Sequence, residues 1–189
     1  MRTRYEMRFA GSGGQGVILA SVIIAETAVI SGLNTVQSQA YGPEARGGVS
    51  KAETVLSRDK IWYSKVTKPN FLLALTQASL DAYSRTLAEG AVVMIDDSLN
   101  MPEGLDPART ISIPILQTAR EKVGKAFTAN IVAVGAINRA LQLFSDAELM
   151  EGVKRHIPAG TEEINQRALA EGAALISDAQ AKVFAQKIR

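Results

Sequence analysis

The chain begins with an alternating stretch, Tyr5-Glu6-Met7-Arg8-Phe9-Ala10, which stops at Gly11. Side chains of a strand point to opposite faces at a period of two, so this pattern predicts a strand. Val17 to Ile30 is long and almost wholly apolar, the pattern of a helix packed hard against a sheet. Gly32 is expected to close it as a C-terminal cap. Thr35 to Gln39 is the next strand. Strand, helix and strand over this length form a βαβ unit, so the two strands are expected to run parallel. Val49 to Ser57 alternates again, and Ile61-Trp62-Tyr63 is expected to pair with it as a hairpin across Arg58-Asp59. Phe71 to Leu75 and Ala91 to Ile95 are short continuous apolar runs, typical of strands buried on both faces. Arg109 to Ile113 adds a last strand before Pro114.

Helical patterns cover Gln77 to Leu87, Leu116 to Val123 and Asn130 to Phe144. Within the third, Ile131 to Ala136 would also suit a strand by periodicity, and only the length of the run favours a helix. Ser145-Asp146-Ala147-Glu148 is a capping box that opens a helix to about His156. Thr161 is expected to cap the last helix, with Glu162 and Glu163 in its first turn. Thr128 reads as the cap before Asn130. The order of elements predicts one domain over residues 1–189, a three-layer α/β/α Rossmann-like sandwich with a mostly parallel, mixed sheet. No internal repeat or linker interrupts it.

A chain of 189 residues buries a core without staples. Its formal net charge of +2 gives no argument for nucleic acid. It contains no cysteine, which excludes disulfides, thiolate-bound zinc or iron–sulfur clusters and a cysteine nucleophile. An iron–sulfur centre serving this chain must therefore sit on another polypeptide. The longest apolar run is too short for a membrane span and carries Glu26. Basic residues in Met1 to Arg8 precede glycines rather than an apolar region, so no signal peptide is expected. The expected location is cytoplasmic.

The candidate chemistry lies in Gly11-Ser12-Gly13-Gly14-Gln15-Gly16. A strand that ends in glycines and opens a helix presents backbone N–H groups at the positive end of the helix dipole, where phosphate binds. Gly11, Gly13 and Gly16 satisfy the dinucleotide spacing G-x-G-x-x-G. A nicotinamide site also needs an acid at the end of the second strand, and none occurs between Glu26 and Glu44. A P-loop needs Lys-Ser or Lys-Thr after the last glycine, which is also missing. A phosphate-bearing ligand other than NAD or ATP remains. The alternative is that these glycines serve strand–helix packing alone.

Tyr41 to Gly48 is a turn-rich loop after the second strand, and loops at the carboxyl ends of parallel strands share one edge. Arg46, flanked by small residues, has room to reach a phosphate bidentately, with Glu44 orienting it. A surface ion pair is the plainer alternative.

The glycine run, followed by Gln37-Ser38-Gln39-Ala40-Tyr41-Gly42-Pro43-Glu44-Ala45-Arg46-Gly47-Gly48, resembles the gamma subunit of 2-oxoacid:ferredoxin (acceptor) oxidoreductases, nearest to the 2-oxoglutarate type. Ser50-Lys51-Ala52-Glu53 and Asn130 to Ala136 also fit, and the resemblance covers nearly the whole chain. It implies an enzyme that oxidatively decarboxylates a 2-oxoacid, 2-oxoglutarate or pyruvate, and forms acyl-CoA. It also implies thiamine diphosphate on alpha and beta subunits, iron–sulfur clusters on beta or a small delta subunit, and ferredoxin as acceptor. The gamma subunit corresponds to a domain implicated in coenzyme A binding. Carried over, Gly11, Gly13, Gly14, Gln15 and Gly16 line the coenzyme A phosphates, and Glu44 and Arg46 meet another part of the same ligand. No catalytic or metal-ligating residue is expected on this chain, and the isolated chain is expected to be inactive and capable of forming a homodimer. The rival readings are a purely structural assembly subunit and a free-standing nucleotide-binding dehydrogenase domain.

Three further features admit two or more readings each. Asp96 and Asp97 either belong to a site or open a turn with Ser98 and Asn100, and the turn is favoured. His156, the sole histidine, reads as a helix-end residue rather than a base or metal ligand. Lys60, Lys65 and Lys68 beside Trp62 and Tyr63 suit a coenzyme A adenine and 3′-phosphate, a subunit contact or a solvated edge, with the edge the default.

Overall fold

The computed structural model describes residues 4–40 and 49–187. Glu44 and Arg46, and the whole loop 41–48, lie outside the described residues.

Six strands form one sheet in the order β2-β3-β1-β4-β5-β6. They are β1 (Arg4–Ser12), β2 (Asn34–Ala40), β3 (Val49–Ser57), β4 (Phe71–Ala74), β5 (Val92–Asp96) and β6 (Thr110–Ile113). β1, β4, β5 and β6 are parallel neighbours. β3 runs antiparallel to both β1 and β2. The first and second strands therefore do share a direction, as the βαβ reading expects, but β3 is inserted between them. Because β3 already bonds on both edges, no edge is left for a hairpin partner. Ile61-Trp62-Tyr63 accordingly forms no strand, a correction to the sequence reading.

Among the described residues the α-helices are α1 (Val17–Ile30), α2 (Gln77–Tyr83), α3 (Ile115–Thr118), α4 (Ala129–Leu141), α5 (Asp146–Lys154), α6 (Glu162–Ala174) and α7 (Asp178–Lys187). A 3₁₀ turn over Ser84–Thr86 extends α2, and a π-type turn over Ala119–Val123 extends α3 until Gly124 stops it at φ 85°. α1 ends at Ser31, with Gly32 following at φ 77° as the expected closing glycine. Ala129–Leu141 is a helix, as its length indicated. Ser145 accepts from the Glu148 N–H, and the Glu148 carboxylate accepts from the Ser145 N–H, so the capping box is formed.

Two caps differ from expectation. Thr161 does not cap α6: its hydroxyl donates to the Pro158 carbonyl at 2.7 Å. Thr128 likewise donates to the Lys125 carbonyl instead of capping α4. α6 is also not the last helix. α7 follows it, opened by Ser177 and Gln180, whose side chains each bond the other's backbone N–H. That pair is the same capping signature as Ser145/Glu148, unread at Ser177 in the sequence.

The main core lies between one sheet face and α1, α4 and α5. It contains Met7, Phe9, Phe71, Met94, Ile23 and Val132. Burial of this aliphatic and aromatic surface is the main driving force for the fold. The other face is thinner: Ala10, Leu72, Ala74, Val93 and Ile95 pack on Leu80 of α2. Arg8 and Glu53 stand opposite each other on that thinner face, buried as a 2.7 Å ion pair. Arg8 also donates to the Thr86 hydroxyl and the Val66 carbonyl, so every side of its guanidinium is held.

Candidate functional site

The chain after β1 turns to one face of the sheet and enters α1. The chain after β4, the parallel neighbour of β1, turns to the opposite face and enters α2. Such a divergence leaves a crevice at the carboxyl ends of the strands, where open α/β sheets bind ligands. The glycine run forms the β1 side of that crevice.

Each residue of the run has a separate physical role. Gly14 and Gly16 sit at φ 87° and 71°, the left-handed region that side chains disfavour. A Cβ on Gly16 would also fall 2.6 Å from the Asn130 amide nitrogen, so α4 fits against this turn only because the position is bare. A Cβ on Gly11 would fall 2.5 Å from the Gln15 carboxamide oxygen. Gln15 is a strut. Its oxygen accepts from the Ser12 N–H at 2.7 Å, its amide donates to the Leu75 carbonyl at 3.2 Å, and its own N–H bonds the Ser12 carbonyl. It thereby ties the β1 loop to the end of β4. Both ends of its carboxamide are bonded within the protein. Gly13 is not held at positive φ. Gly13 and Gly14 are both exposed, and a Cβ on either would meet no other atom within 4 Å.

Behind Gly13 and Gly14 stands the N-terminus of α1. Its cap residue is Gly16, no side chain bonds its first N–H groups, and its first turn holds no acid. Those N–H groups and the positive end of the helix dipole suit an anion. On the far side of β1, Val49 pairs with Ser12 and Lys51 with Ala10. β2 and β1 run in the same direction, so the carboxyl ends of both lie on this edge. Of the residues expected at the site, Gly11, Gly13, Gly14, Gln15 and Gly16 form one turn here. Asn130, buried beneath Gly16, belongs to the same structure and was missed. Its signal was a polar residue at the head of the apolar run Ile131 to Ala136.

The other candidates are placed elsewhere. Asp96 is buried and accepts from the N–H and hydroxyl of Ser98 and from the Leu116 N–H at the start of α3. It holds a turn, as the favoured reading has it. His156 Nε2 lies 3.7 Å from Glu26, which also takes Arg155 at 2.7 Å, so this group clamps α5 to α1. Lys60 lies over the Trp62 ring at 4.1 Å. This lysine stretch follows the end of β3 that pairs with Arg4. Seven residues of β1, Arg4 to Ala10, separate the start of that stretch from the glycine turn, about 24 Å at strand spacing. Lys60 therefore lies at the far end of β1 from the glycine turn. Among the described residues no His, Asp and Glu cluster could hold a metal ion. No helix is long and apolar enough to cross a membrane among those residues. A cavity of about 520 Å³ lies between α4, α5 and α6, away from the glycine turn. Asn138 on its wall is bound to both backbone groups of Phe144, and the cavity carries no reactive set.

Comparison with known proteins adds independent findings. The family model of pyruvate ferredoxin/flavodoxin oxidoreductase matches residues 6–175. The 2-oxoglutarate synthase subunit KorC of Methanothermobacter marburgensis is 41% identical over 184 residues, covering 94% of this chain and 99% of that one. The KorC subunit of Methanocaldococcus jannaschii is 40% identical over 177 residues, 91% and 94% of the two chains. Among solved structures, the keto/oxoacid ferredoxin oxidoreductase gamma subunit of Geobacter sulfurreducens superposes with a TM-score of 0.83 at 41% identity, over 92% of this chain and 97% of that chain. The 2-oxoglutarate:ferredoxin oxidoreductase of Magnetococcus marinus shares the fold, with a TM-score of 0.81 at 22% identity, over 93% of this chain and 31% of that one.

Proposed function

The chain belongs to the pyruvate ferredoxin/flavodoxin oxidoreductase family, as a gamma-type subunit of a multi-subunit 2-oxoacid:ferredoxin oxidoreductase, and we propose that within that enzyme it forms one wall of the coenzyme A site. The observation that carries this reading is the exposed Gly13–Gly14 turn set before the uncapped N-terminus of α1, at the point where the chains leaving β1 and β4 diverge. Coenzyme A supplies the thiol that accepts the acyl group. Its phosphates are the part this chain is built to hold. Gly13 and Gly14 admit a phosphate close to the backbone, Gly16 and Val17 turn helix N–H groups toward it, and Gly11 and Gln15 keep the turn in shape. Arg46, with Glu44 orienting it, supplies a guanidinium for a further phosphate or for the pantetheine arm.

Oxidative decarboxylation belongs to the partner chains in this reading. Alpha and beta subunits hold thiamine diphosphate, and beta or a small delta subunit holds the iron–sulfur clusters that reduce ferredoxin. This chain has no cysteine to bind a cluster. The substrate is 2-oxoglutarate, the setting is cytoplasmic, residues 1–189 act as one domain, and the isolated chain is a homodimer.

Steady-state kinetics of the assembled enzyme test the site. Gly13→Asp places a carboxylate in the anion position without crowding any neighbour. It is expected to raise the KM for coenzyme A at least tenfold and to leave the KM for the oxoacid unchanged. Arg46→Ala is expected to act in the same direction. If both variants keep the wild-type KM for coenzyme A, the chain is a structural assembly subunit instead.

A further inference from the structure

Asn130 stands where two helices meet. It lies in the first turn of α4, and a Cβ on Gly16, the cap residue of α1, would fall 2.6 Å from its amide nitrogen. The N-termini of α1 and α4 therefore adjoin at the glycine turn. These are helices of 14 and 13 residues, and neither has a side-chain cap or an acid in its first turn. The positive ends of two helix dipoles thus come together with no side chain of either first turn to balance them.

Water alone could satisfy such helix ends, but the Asn130 carboxamide adds an independent observation. The residue is only 4% exposed. Its Oδ1 accepts from the Ile131 N–H at 3.0 Å, which fixes Nδ2 as the end turned to Gly16. Nδ2 bonds no other described residue. Side-chain donors of buried residues nearly always have a partner, so an unbonded one calls for a partner from outside the chain. Nor is Nδ2 sealed in. Among the described residues, the fully enclosed side-chain N and O atoms that lack a partner are Thr35 Oγ1 and His156 Nε2. The unbonded Asn130 amide is therefore reached from outside, beside the partly exposed Gly16.

We propose that Asn130 is a binding residue for the phosphate part of coenzyme A, its Nδ2 donating to a phosphate oxygen held before the N-terminus of α1. A phosphate carries the charge that two dipole ends attract and accepts from several directions at once. The acceptor end of the amide is taken up within α4, so the end left for the ligand is a pure donor. The ligand is then held from two sides, by N–H groups of the turn and α1 and by a side chain of α4. This inference rests on the coenzyme A reading of the glycine turn.

Steady-state kinetics of the assembled enzyme test it, with Asn130→Asp as the main variant. Aspartate has nearly the same shape, keeps the acceptor for the Ile131 N–H and suits the first turn of a helix. A purely structural role would tolerate it. It removes the donor and sets a carboxylate against the phosphate, so the KM for coenzyme A is expected to rise roughly tenfold or more. The KM for the oxoacid and the unfolding midpoint are expected to stay unchanged. A wild-type KM for coenzyme A in Asn130→Asp overturns the role of Asn130. If Gly13→Asp still raises that KM in the same assay, the coenzyme A reading stands without Asn130; if neither variant does, both fall. A rise in both KM values would mark general damage to the enzyme and overturn the proposal as well. Should Asn130→Asp fail to assemble, Asn130→Ser decides. Its shorter, uncharged hydroxyl is expected to raise the KM for coenzyme A by roughly threefold, and an unchanged value overturns the proposal. Failure of both variants to assemble would give Asn130 a role in folding alone, which overturns it too.

Discussion

Gly13 and Gly16 look interchangeable in a spacing pattern, yet their surroundings differ. Gly16 is held at φ 71° against Asn130, and Gly13 is open. Gly16→Ala is expected to cost about 1–2 kcal/mol from its left-handed backbone, with the Asn130 clash added. Gly13→Ala should change stability by less than about 0.5 kcal/mol. Urea denaturation of the two variants checks the contrast. Arg8 is the other residue whose role only its neighbours disclose. An arginine in an alternating strand reads as a solvent-facing position, but here both Arg8 and Glu53 are buried beneath the 3₁₀ turn after α2. Removing Arg8 would leave the buried Glu53 carboxylate only the longer 3.5 Å contact with Lys51, so Arg8→Ala is expected to destabilise by roughly 3 kcal/mol. Replacing both with apolar residues, Arg8→Met with Glu53→Leu, should recover most of that loss in the same assay.

Helix and strand periods were readable because burial imposes them locally. The limits of Val17–Ile30 and Val49–Ser57 coincide with α1 and β3. The failures have tertiary causes: the hairpin at Ile61–Tyr63 fails because β3 has no free edge, and Thr161 finds a nearer acceptor in Pro158. The crossing of α4 and α6 was likewise not visible in the pattern. A Cβ on Gly135 would lie 2.2 Å from the Leu169 carbonyl, and one on Gly172 2.0 Å from the Val132 carbonyl, so the two backbones touch through paired glycines. Gly172→Ala is expected to force the helices apart at a cost of about 1–3 kcal/mol, measured as a lower midpoint of thermal or urea unfolding. The cap of α5 carries a pH signature. The Ser145 hydroxyl, and then the Ser145 N–H, hold the Glu148 carboxyl below its ordinary value of 4.5. A carboxyl with a lowered folded pKa stabilises above its unfolded value and loses that contribution as pH falls through the folded one. Ser145→Ala should therefore reduce the loss of stability on acidification below about pH 4.5, as followed by urea melts at several pH values.

At the scale of the whole molecule, the chains leaving β1 and β4 diverge beside the glycine turn, and the chain has no cysteine to hold an iron–sulfur cluster. The isolated chain is accordingly expected to show no oxoacid-dependent ferredoxin reduction, and activity should appear only when its partner subunits are added. An assay of the purified chain with oxoacid, coenzyme A and ferredoxin checks this. Activity in that assay would revive the free-standing enzyme reading.

The glycine turn, the elements beside it and the exclusion of cysteine chemistry were determined by the sequence alone, because turn geometry and side-chain period act over a few neighbouring residues. Family membership was legible for a related reason: two short motifs at a set separation are rarer than either alone. Only the tertiary structure decided that β3 separates β1 from β2 and that Gln15 braces the turn against Leu75 while Gly13 stays open. Each of those facts is a contact between residues remote in the chain. Local propensity cannot encode which edge of a strand is already occupied, or which side of a mostly apolar helix its neighbours cover.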